Sequence, residues 1–283
     1  MNPISRRSLL ASAGALTGGL ALAACTGTPN IARPTTSPSG TITAQLDQVM
    51  KVIANGSDQF GVWVQDWGGD GMYAFNPEYT SQSASMAKPM IVSMALRKAA
   101  ADGGQLSAEN ADLARKAITN SDNDAADALW AYAGGRPAYD GLARDLGMTA
   151  THSDPAKDFW SWTWTTPKDQ VLLADTLANG GSKVLTNAQC KFTWDLMGQV
   201  QDDQTWGIGQ PKSASVATHL KNGWVQFQST DNLWAVNSMG GVEGEGRSYF
   251  ACVMTRTPDF ATGRELTSEV GKWIFSILGS GSL

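Results

Sequence analysis

The sequence predicts an α+β fold of two lobes, in which an antiparallel sheet is flanked by N- and C-terminal helices and an all-helical lobe lies beside it. Strand-like segments occur near the beginning and again near the end of the 283 residues. A long block of helical patterns separates them, and helical patterns also stand at both ends. A cleft between two such lobes is a natural ligand site.

The fold is predicted to begin with a helix and a hairpin. Residues 42–53 have apolar side chains at helical spacing, and Asn55-Gly56 is a typical helix stop. Residues 60–64 alternate like a strand, and residues 72–75 have the pattern of a second strand. The glycine-rich turn at residues 68–71 joins them, which predicts a β-hairpin.

The middle of the chain is predicted to be helical, and strands return at the end. Apolar spacing predicts helices over residues 85–101, 108–118, 124–132, 137–146, 167–178 and 187–200. Segments rich in β-favouring residues predict strands over residues 219–226, 233–238 and 249–255, before a last helix over residues 262–278. We therefore expect one domain over residues 41–283, with a helical lobe at about residues 85–205 inserted in the α/β lobe.

The first 24 residues are predicted to be an export signal. Arg6 and Arg7 precede the apolar stretch at residues 9–24, which is too short and too rich in glycine for a convincing membrane span. The segment around the two arginines resembles the twin-arginine export pattern. Basic residues are also common at the start of lipoprotein signals, so the sequence leaves the export route open.

Cys25 is predicted to be a lipidation site. Leu22-Ala23-Ala24-Cys25 resembles a bacterial lipobox, in which the cysteine is lipidated and becomes the new N-terminus. The alternative is an ordinary secretory signal with a chance cysteine. Residues 25–40 are rich in Thr, Pro, Ser and Gly, which predicts a disordered tether. The expected location is the outer face of the cell membrane, with the lipid at Cys25 as the anchor.

Charge and composition argue against several classes of partner. The net charge of −5 gives no electrostatic reason to expect nucleic-acid binding. Two histidines and scattered cysteines give no metal-ligand spacing, so we expect no metal and no other cofactor. Cys190 and Cys252 could pair in an exported protein, and the sequence leaves this open. The domain is expected to be a monomer.

Ser85 is the candidate nucleophile and Lys88 the candidate base. The two residues lie three apart on a predicted helix, so their side chains share one face. A serine hydroxyl needs a neighbouring base, and a lysine can serve if its pKa is lowered by burial and by nearby cations. A helix N-terminus at Ser85 would also favour developing negative charge. The alternative is an amphipathic helix with an exposed lysine.

Two further motifs complete a resemblance to a known family. Ser121-Asp122-Asn123 lies between helical patterns, where a simple helix cap is the alternative, and Lys221-Asn222-Gly223 lies on a predicted strand. Together with Ser85-Met86-Ala87-Lys88, and in this order, they resemble the S-x-x-K, S-D-N and K-T-G motifs of class A β-lactamases and penicillin-binding proteins. The resemblance extends over about residues 42–283 and implies a serine hydrolase that forms an acyl-enzyme.

The resemblance also implies a role for each motif residue. Ser121 would relay a proton to the leaving nitrogen, Asn123 would bind the substrate amide, and Asp122 would be structural. Lys221 would face the substrate carboxylate and raise the positive potential near Ser121.

The strand motif is expected to complete the substrate site. The backbone N–H groups of Ser85 and Trp224 would form the oxyanion hole. Asn222, which stands where the family has Thr or Ser, would keep a donor of different shape. Gly223 would let another backbone approach closely.

The chain departs from the class A pattern in two places. Ser121 follows Ser85 by only 36 residues, so we expect a helical lobe that is trimmed at the rim of the cleft. Residues 149–167 correspond to the loop whose glutamate activates the deacylating water, and they contain no Glu. Asp154 and Asp158 are the carboxylates there, and either could replace that Glu or simply cap or pair.

Two other features have competing interpretations. Trp160, Trp162 and Trp164 alternate through the same loop and could stack on sugars or peptides, although packing is the more common role. His219 is expected to share a strand face with Lys221, so a Ser-His-Asp triad is a rival arrangement. The chain has no G-x-S-x-G segment to support that triad.

The expected substrate is a β-lactam or a D-Ala-D-Ala-like peptidoglycan peptide. Without the loop Glu, a β-lactamase and a slow penicillin-binding hydrolase are hard to separate. A different class also remains, namely a binding lipoprotein of the cell wall that has kept the cleft and lost turnover.

Overall fold

The computed structural model describes residues 31–55, 57, 59–180, 183–227, 231–279 and 281–283. The predicted signal peptide and the predicted lipidation site, Cys25, lie outside the described residues. Within these ranges no helix has both the length and the hydropathy needed to cross a membrane. The described part of the predicted tether contains no helix or strand before residue 42, and its Arg33 pairs with Glu265 and Glu269 of the last helix.

A five-stranded antiparallel sheet forms the centre of the α/β lobe. The strands of the described chain are β1 (Phe60–Asp66), β2 (Met72–Phe75), β3 (Ser81–Gln82), β4 (Trp164–Thr165), β5 (Ala217–Gln226), β6 (Trp234–Gly244) and β7 (Arg247–Thr257). The main sheet has the order β2-β1-β7-β6-β5, and β3 pairs with β4 in a separate two-stranded sheet. β5 is therefore an edge strand of the main sheet.

Helices cover the sheet and form the second lobe. They are α1 (Ile42–Ala54), α2 (Lys88–Ala101), α3 (Ala108–Thr119), α4 (Asn123–Ala133), α5 (Gly135–Leu146), α6 (Pro167–Asn179), α7 (Asn187–Met197) and α8 (Phe260–Leu278). The predicted α+β fold class and the predicted hairpin, β1 with β2, are confirmed. β6 runs to Gly244 instead of residue 238, and α7 ends at Met197 instead of residue 200.

The predicted helix at residues 85–101 is divided in two. A short 3₁₀ helix, Ala84–Ala87, carries Ser85 and leads directly into α2. Pro89 lies in the first turn of α2, where its missing N–H costs no hydrogen bond. Ser85 and Lys88 therefore stand on either side of a junction between two helix types, with the Lys88 N–H donating to the Ser85 carbonyl.

The core lies on both faces of the sheet, and β7 shows how the faces alternate. Successive side chains of β7 alternate between two hydrophobic cores. One core is shared with α1 and α8, and the other is shared with the helical lobe. The first set is Tyr249, Ala251 and Val253, and the second is Phe250, Cys252 and Met254. Cys252 and Cys190 are both free and buried, so the pairing that the sequence left open is not made.

Candidate active site

Ser85 lies in the wall of a cavity of about 410 Å³ between the two lobes. It is half-buried on its 3₁₀ helix. The other wall residues are Asn120, Ser121, Asn123, Asp127, Phe159, Trp160, Ser161, Gln204, Trp224 and Val225. A cavity of this size is typical of small-ligand sites.

The turn that presents Ser85 is held in an unusual conformation. Ala84 has a φ of 48°, in the left-handed region that non-glycine residues rarely adopt. Ser83 anchors the turn from below, because its N–H donates to the Thr163 carbonyl at 2.7 Å and its hydroxyl lies 2.5 Å from the Thr163 hydroxyl. Such strain persists only where surrounding contacts over-determine it, and it is common at functional sites.

Lys88 is fully buried beneath the cavity, and its ammonium group is saturated with acceptors. Nζ donates to the Ser121 carbonyl at 2.5 Å, to Asn123 Oδ1 at 2.9 Å and to Ser121 Oγ at 3.2 Å. Burial lowers the pKa of Lys88 to about 7, although the charges of Asp122 and Asp127 oppose the shift. Lys88 is therefore a base that is partly neutral near pH 7.

Ser121 joins the two lobes through its hydroxyl. It has a φ of 55° between α3 and α4, which turns its side chain toward Lys88. Ser121 Oγ also accepts a hydrogen bond of 2.9 Å from Lys221 Nζ on β5. The hydroxyl thus lies between two lysines that come from different parts of the fold.

The segment Ser121-Asp122-Asn123 contains both a helix cap and residues that line the cavity. Asp122 is the N-cap of α4, because its Oδ1 accepts the Ala125 N–H at 2.8 Å. Ser121 and Asn123 line the cavity instead. Asn123 Oδ1 is bonded to Lys88, which leaves its Nδ2 group as a donor.

Lys221 does not face the cavity directly, which corrects one expectation. It is buried, and its Nζ donates to Ser121 Oγ and to the Asn222 carbonyl, both at 2.9 Å. Burial, together with the charge of Lys88, holds the pKa of Lys221 well below its usual value. Lys221 therefore contacts the cavity-lining Ser121 but does not itself line the cavity.

Gly223 brings β5 against the nucleophile turn. A Cβ at this position would lie 2.6 Å from the Ser83 carbonyl oxygen and 2.7 Å from the backbone nitrogens of Ser85 and Met86. Only glycine permits this approach of two backbones. The next residue, Trp224, enters the cavity wall, so the edge of β5 borders Ser85.

Asn222 is not a substrate-binding residue in this structure, contrary to expectation. Its side chain is 1% exposed, and its Nδ2 donates to the carbonyls of Gln204 and Trp206 at 2.7 and 3.2 Å. Its Oδ1 is also buried. The side chain is directed away from the cavity and holds the segment that contributes Gln204 to the wall.

The carboxylates of the loop at residues 149–167 stay outside the cavity wall. Asp154 accepts the Ala156 N–H at 2.8 Å and so stabilises a local turn. Asp158 is exposed and is not among the wall residues. Neither is placed to act on a substrate at Ser85.

The tryptophans of this loop are packed. The Trp160 ring lies 4.8 Å from Lys88 Nζ, and its Nε1 donates to Asp127 Oδ1 at 2.6 Å. Trp162 lies between Lys157 and Phe227. Trp164 belongs to β4. Packing is therefore the role of Trp160 and Trp162, and Trp160 also borders the cavity.

Asp127 is a wall residue that the motif pattern did not reveal. It follows Asn123 by four residues on α4, so both side chains lie on one helix face. This spacing could have identified it from the sequence. Its carboxylate also influences the pKa of Lys88.

The structure does not support the triad alternative. His219 stacks on Trp194 at 4.5 Å, and its Nδ1 lies 3.0 Å from the Trp194 carbonyl. It is therefore a packing residue outside the cavity wall. Among the described residues, no group of three His, Cys, Asp or Glu side chains could hold a metal ion.

Comparison with known proteins identifies the family. The model of the β-lactamase enzyme family matches residues 102–278, which is more than half of the chain. The chain therefore belongs to the β-lactamase enzyme family. The matched segment contains the Ser121 and Lys221 motifs and begins after Ser85. A comparison with curated proteins gave no match.

Solved structures share the fold at low sequence identity. A class A β-lactamase from Bacteroides cellulosilyticus is 17% identical, with a TM-score of 0.71 over 86% of this chain and 100% of that one. A β-lactamase from Xanthomonas campestris is 19% identical, with a TM-score of 0.69 over 84% and 99%. One from Chitinophaga pinensis is 14% identical, with a TM-score of 0.68 over 84% and 99%. The class A β-lactamase fold is thereby established for this chain.

The corrected role of Asn222 can be tested by stability. Asn222→Ala removes both buried hydrogen bonds to main-chain carbonyls, so the free energy of unfolding should fall by about 2 kcal/mol in urea denaturation. Asn222→Thr retains one hydrogen-bond donor, so its free energy of unfolding should fall by less than that of Asn222→Ala. Unchanged stability of Asn222→Ala would contradict a structural role for this amide.

Proposed function

We propose that this protein is a serine acyl-transfer hydrolase in which Ser85 attacks the carbonyl carbon of a β-lactam or of a D-Ala-D-Ala-type peptidoglycan peptide. The observation that carries the proposal is the arrangement around Ser121. Its hydroxyl bonds to two buried lysines and opens on the same cavity as Ser85.

Acylation begins with removal of the Ser85 proton. Lys88 is the base, since burial brings its pKa to about 7 and it follows Ser85 by one 3₁₀ turn. The carbonyl oxygen becomes negative as Ser85 attacks. The backbone N–H groups of Ser85 and Trp224 donate hydrogen bonds to this oxygen, because the close contact at Gly223 places the edge of β5 against the Ser85 backbone.

Expulsion of the leaving nitrogen requires a proton. The Ser121 hydroxyl gives its proton to the nitrogen and takes up in turn the proton that Lys88 removed from Ser85, since Lys88 Nζ lies 3.2 Å from Ser121 Oγ. Lys221, at 2.9 Å, keeps that hydroxyl oriented and polarised. Asn123 binds the substrate amide with its Nδ2 group, since its Oδ1 is held by Lys88. Trp224 and the exposed Phe159 provide apolar surface for the rest of the ligand.

A second candidate function is a penicillin-binding hydrolase with slow turnover. The observation that favours it is the absence of any carboxylate of the loop at residues 149–167 from the described cavity wall. The two candidates share acylation at Ser85 and differ only in the lifetime of the acyl-enzyme.

The proposal extends to the location of the protein. It would be an exported monomer that a lipid on Cys25 anchors to the outer face of the cell membrane. The support is the lipobox-like segment Leu22-Ala23-Ala24-Cys25. Labelled palmitate should be incorporated in cells and should be lost in Cys25→Ser. Equal labelling of the unmodified protein and of Cys25→Ser would contradict lipidation at Cys25.

Ser85→Ala should abolish covalent labelling by a fluorescent penicillin, because the variant lacks the nucleophilic oxygen. Intact mass measured over time also separates the two candidates. A long-lived adduct supports the penicillin-binding hydrolase, and loss of substrate without a persistent adduct supports the β-lactamase. Absence of both adduct and hydrolysis in the unmodified protein would overturn acylation at Ser85.

The rate of acylation should rise with pH through the pKa of Lys88. Below about pH 7 the base is increasingly protonated, so the rate should fall about tenfold per pH unit; above about pH 8 it should level off. Lys88→Arg should abolish this rise, since arginine stays protonated, and slow acylation by about 100-fold or more. A flat profile for the unmodified protein would exclude Lys88 as the base.

A further inference from the structure

Hydrolysis of an acyl-enzyme requires a base for the attacking water. Three carboxylates in or beside the loop at residues 149–167 are committed to its backbone, and each accepts a main-chain N–H group of the loop. They are Asp140 with Ser153, Asp154 with Ala156, and Asp169 with Ala150. Asp158 lies outside the cavity wall. The loop therefore supplies no base.

Asp127 is the one carboxylate in the cavity wall formed by the described residues. It lies one helical turn beyond Asn123, on the same face of α4, and both side chains line the cavity. Its side chain is exposed, so water reaches it. Ser85 lines the same cavity of about 410 Å³, so an acyl group on Ser85 and this carboxylate would share one cavity.

Trp160 orients this carboxylate. Its indole Nε1 donates to Asp127 Oδ1 at 2.6 Å, and its ring is buried and packed beneath Lys88 Nζ. A buried ring has little freedom, so it fixes the carboxylate on one side and leaves Oδ2 for water. The loop thus contributes to the site an indole that positions a carboxylate from α4.

We propose that Asp127 is the general base of deacylation, with Trp160 as its positioning residue. The inference rests on the proposed acylation of Ser85. A water oxygen attacks the acyl carbonyl carbon while its proton passes to Asp127 Oδ2. The bond between that carbon and Ser85 Oγ then breaks, Oγ takes up the proton, and the carboxylate of Asp127 is restored as the acid product leaves.

The experiment measures acylation and deacylation separately in the purified full-length protein. Asp127→Asn keeps the shape and the hydrogen bond from Trp160 but removes the base. With benzylpenicillin above about pH 8, where the charge of Asp127 no longer controls the protonation of Lys88, its acylation rate should stay within about threefold, whereas the deacylation rate should fall about 100-fold. Intact mass should then show a persistent adduct of one opened penicillin.

Two further variants test the specificity of this effect. Asp124→Asn removes the same charge from α4 but lies outside the cavity wall, so neither step should change by more than about twofold. Trp160→Phe keeps a ring next to Lys88 and deletes the N–H donor to Asp127. The deacylation rate should fall by about tenfold, and the acylation rate should not change, because the carboxylate loses the donor that orients it.

The possible failures are distinguishable. If Asp127→Asn slows both steps equally, or leaves deacylation unchanged, Asp127 is not the base. If the unmodified protein is acylated at Ser85 but never releases the product, the inference fails while the acylation proposal stands. If benzylpenicillin forms no adduct and is not hydrolysed, the proposed function itself fails.

Discussion

The burial of two lysines at one serine hydroxyl is the constraint on which the site depends. Lys88 comes from the helical lobe and Lys221 from the sheet, and both donate to Ser121 Oγ. A buried cation is costly unless its donors are satisfied, so the Ser121 carbonyl and the Asn123 amide oxygen must lie within its reach. The same desolvation that makes this arrangement costly lowers the pKa of Lys88 to about 7 and so provides a base.

The backbone on both sides of the cavity is adapted to this arrangement. Ala84 and Ser121 adopt left-handed conformations, which are unfavourable for residues with a side chain. Gly223 permits β5 to pack directly on the turn that follows Ala84. Since these conformations are unfavourable in isolation, the tertiary contacts around them, such as those of Ser83 with Thr163, must hold them.

The loop beside the site uses its polar groups for its own structure. Asp154 stabilises a turn, and Asp140 and Asp169 bind loop N–H groups from neighbouring helices. The group that the loop places against Lys88 is the indole of Trp160. In the proposed mechanism, acylation and water activation therefore depend on different elements of this fold, because the carboxylate in the described cavity wall comes from α4.

The sequence by itself determined the longer elements and the local pairs. Periodicity located α1 and the first hairpin, and short spacing identified Ser85 with Lys88 and Ser121 with Asn123, because residues within one helical turn or one loop are neighbours in any fold. Spacing of the same kind would have added Asp127. Only the tertiary structure decided that Lys221 is buried behind Ser121, that Asn222 is directed away from the cavity, and that Trp160 meets Asp127, 33 residues away. Those contacts depend on how the lobes and the loop pack, which local patterns do not encode.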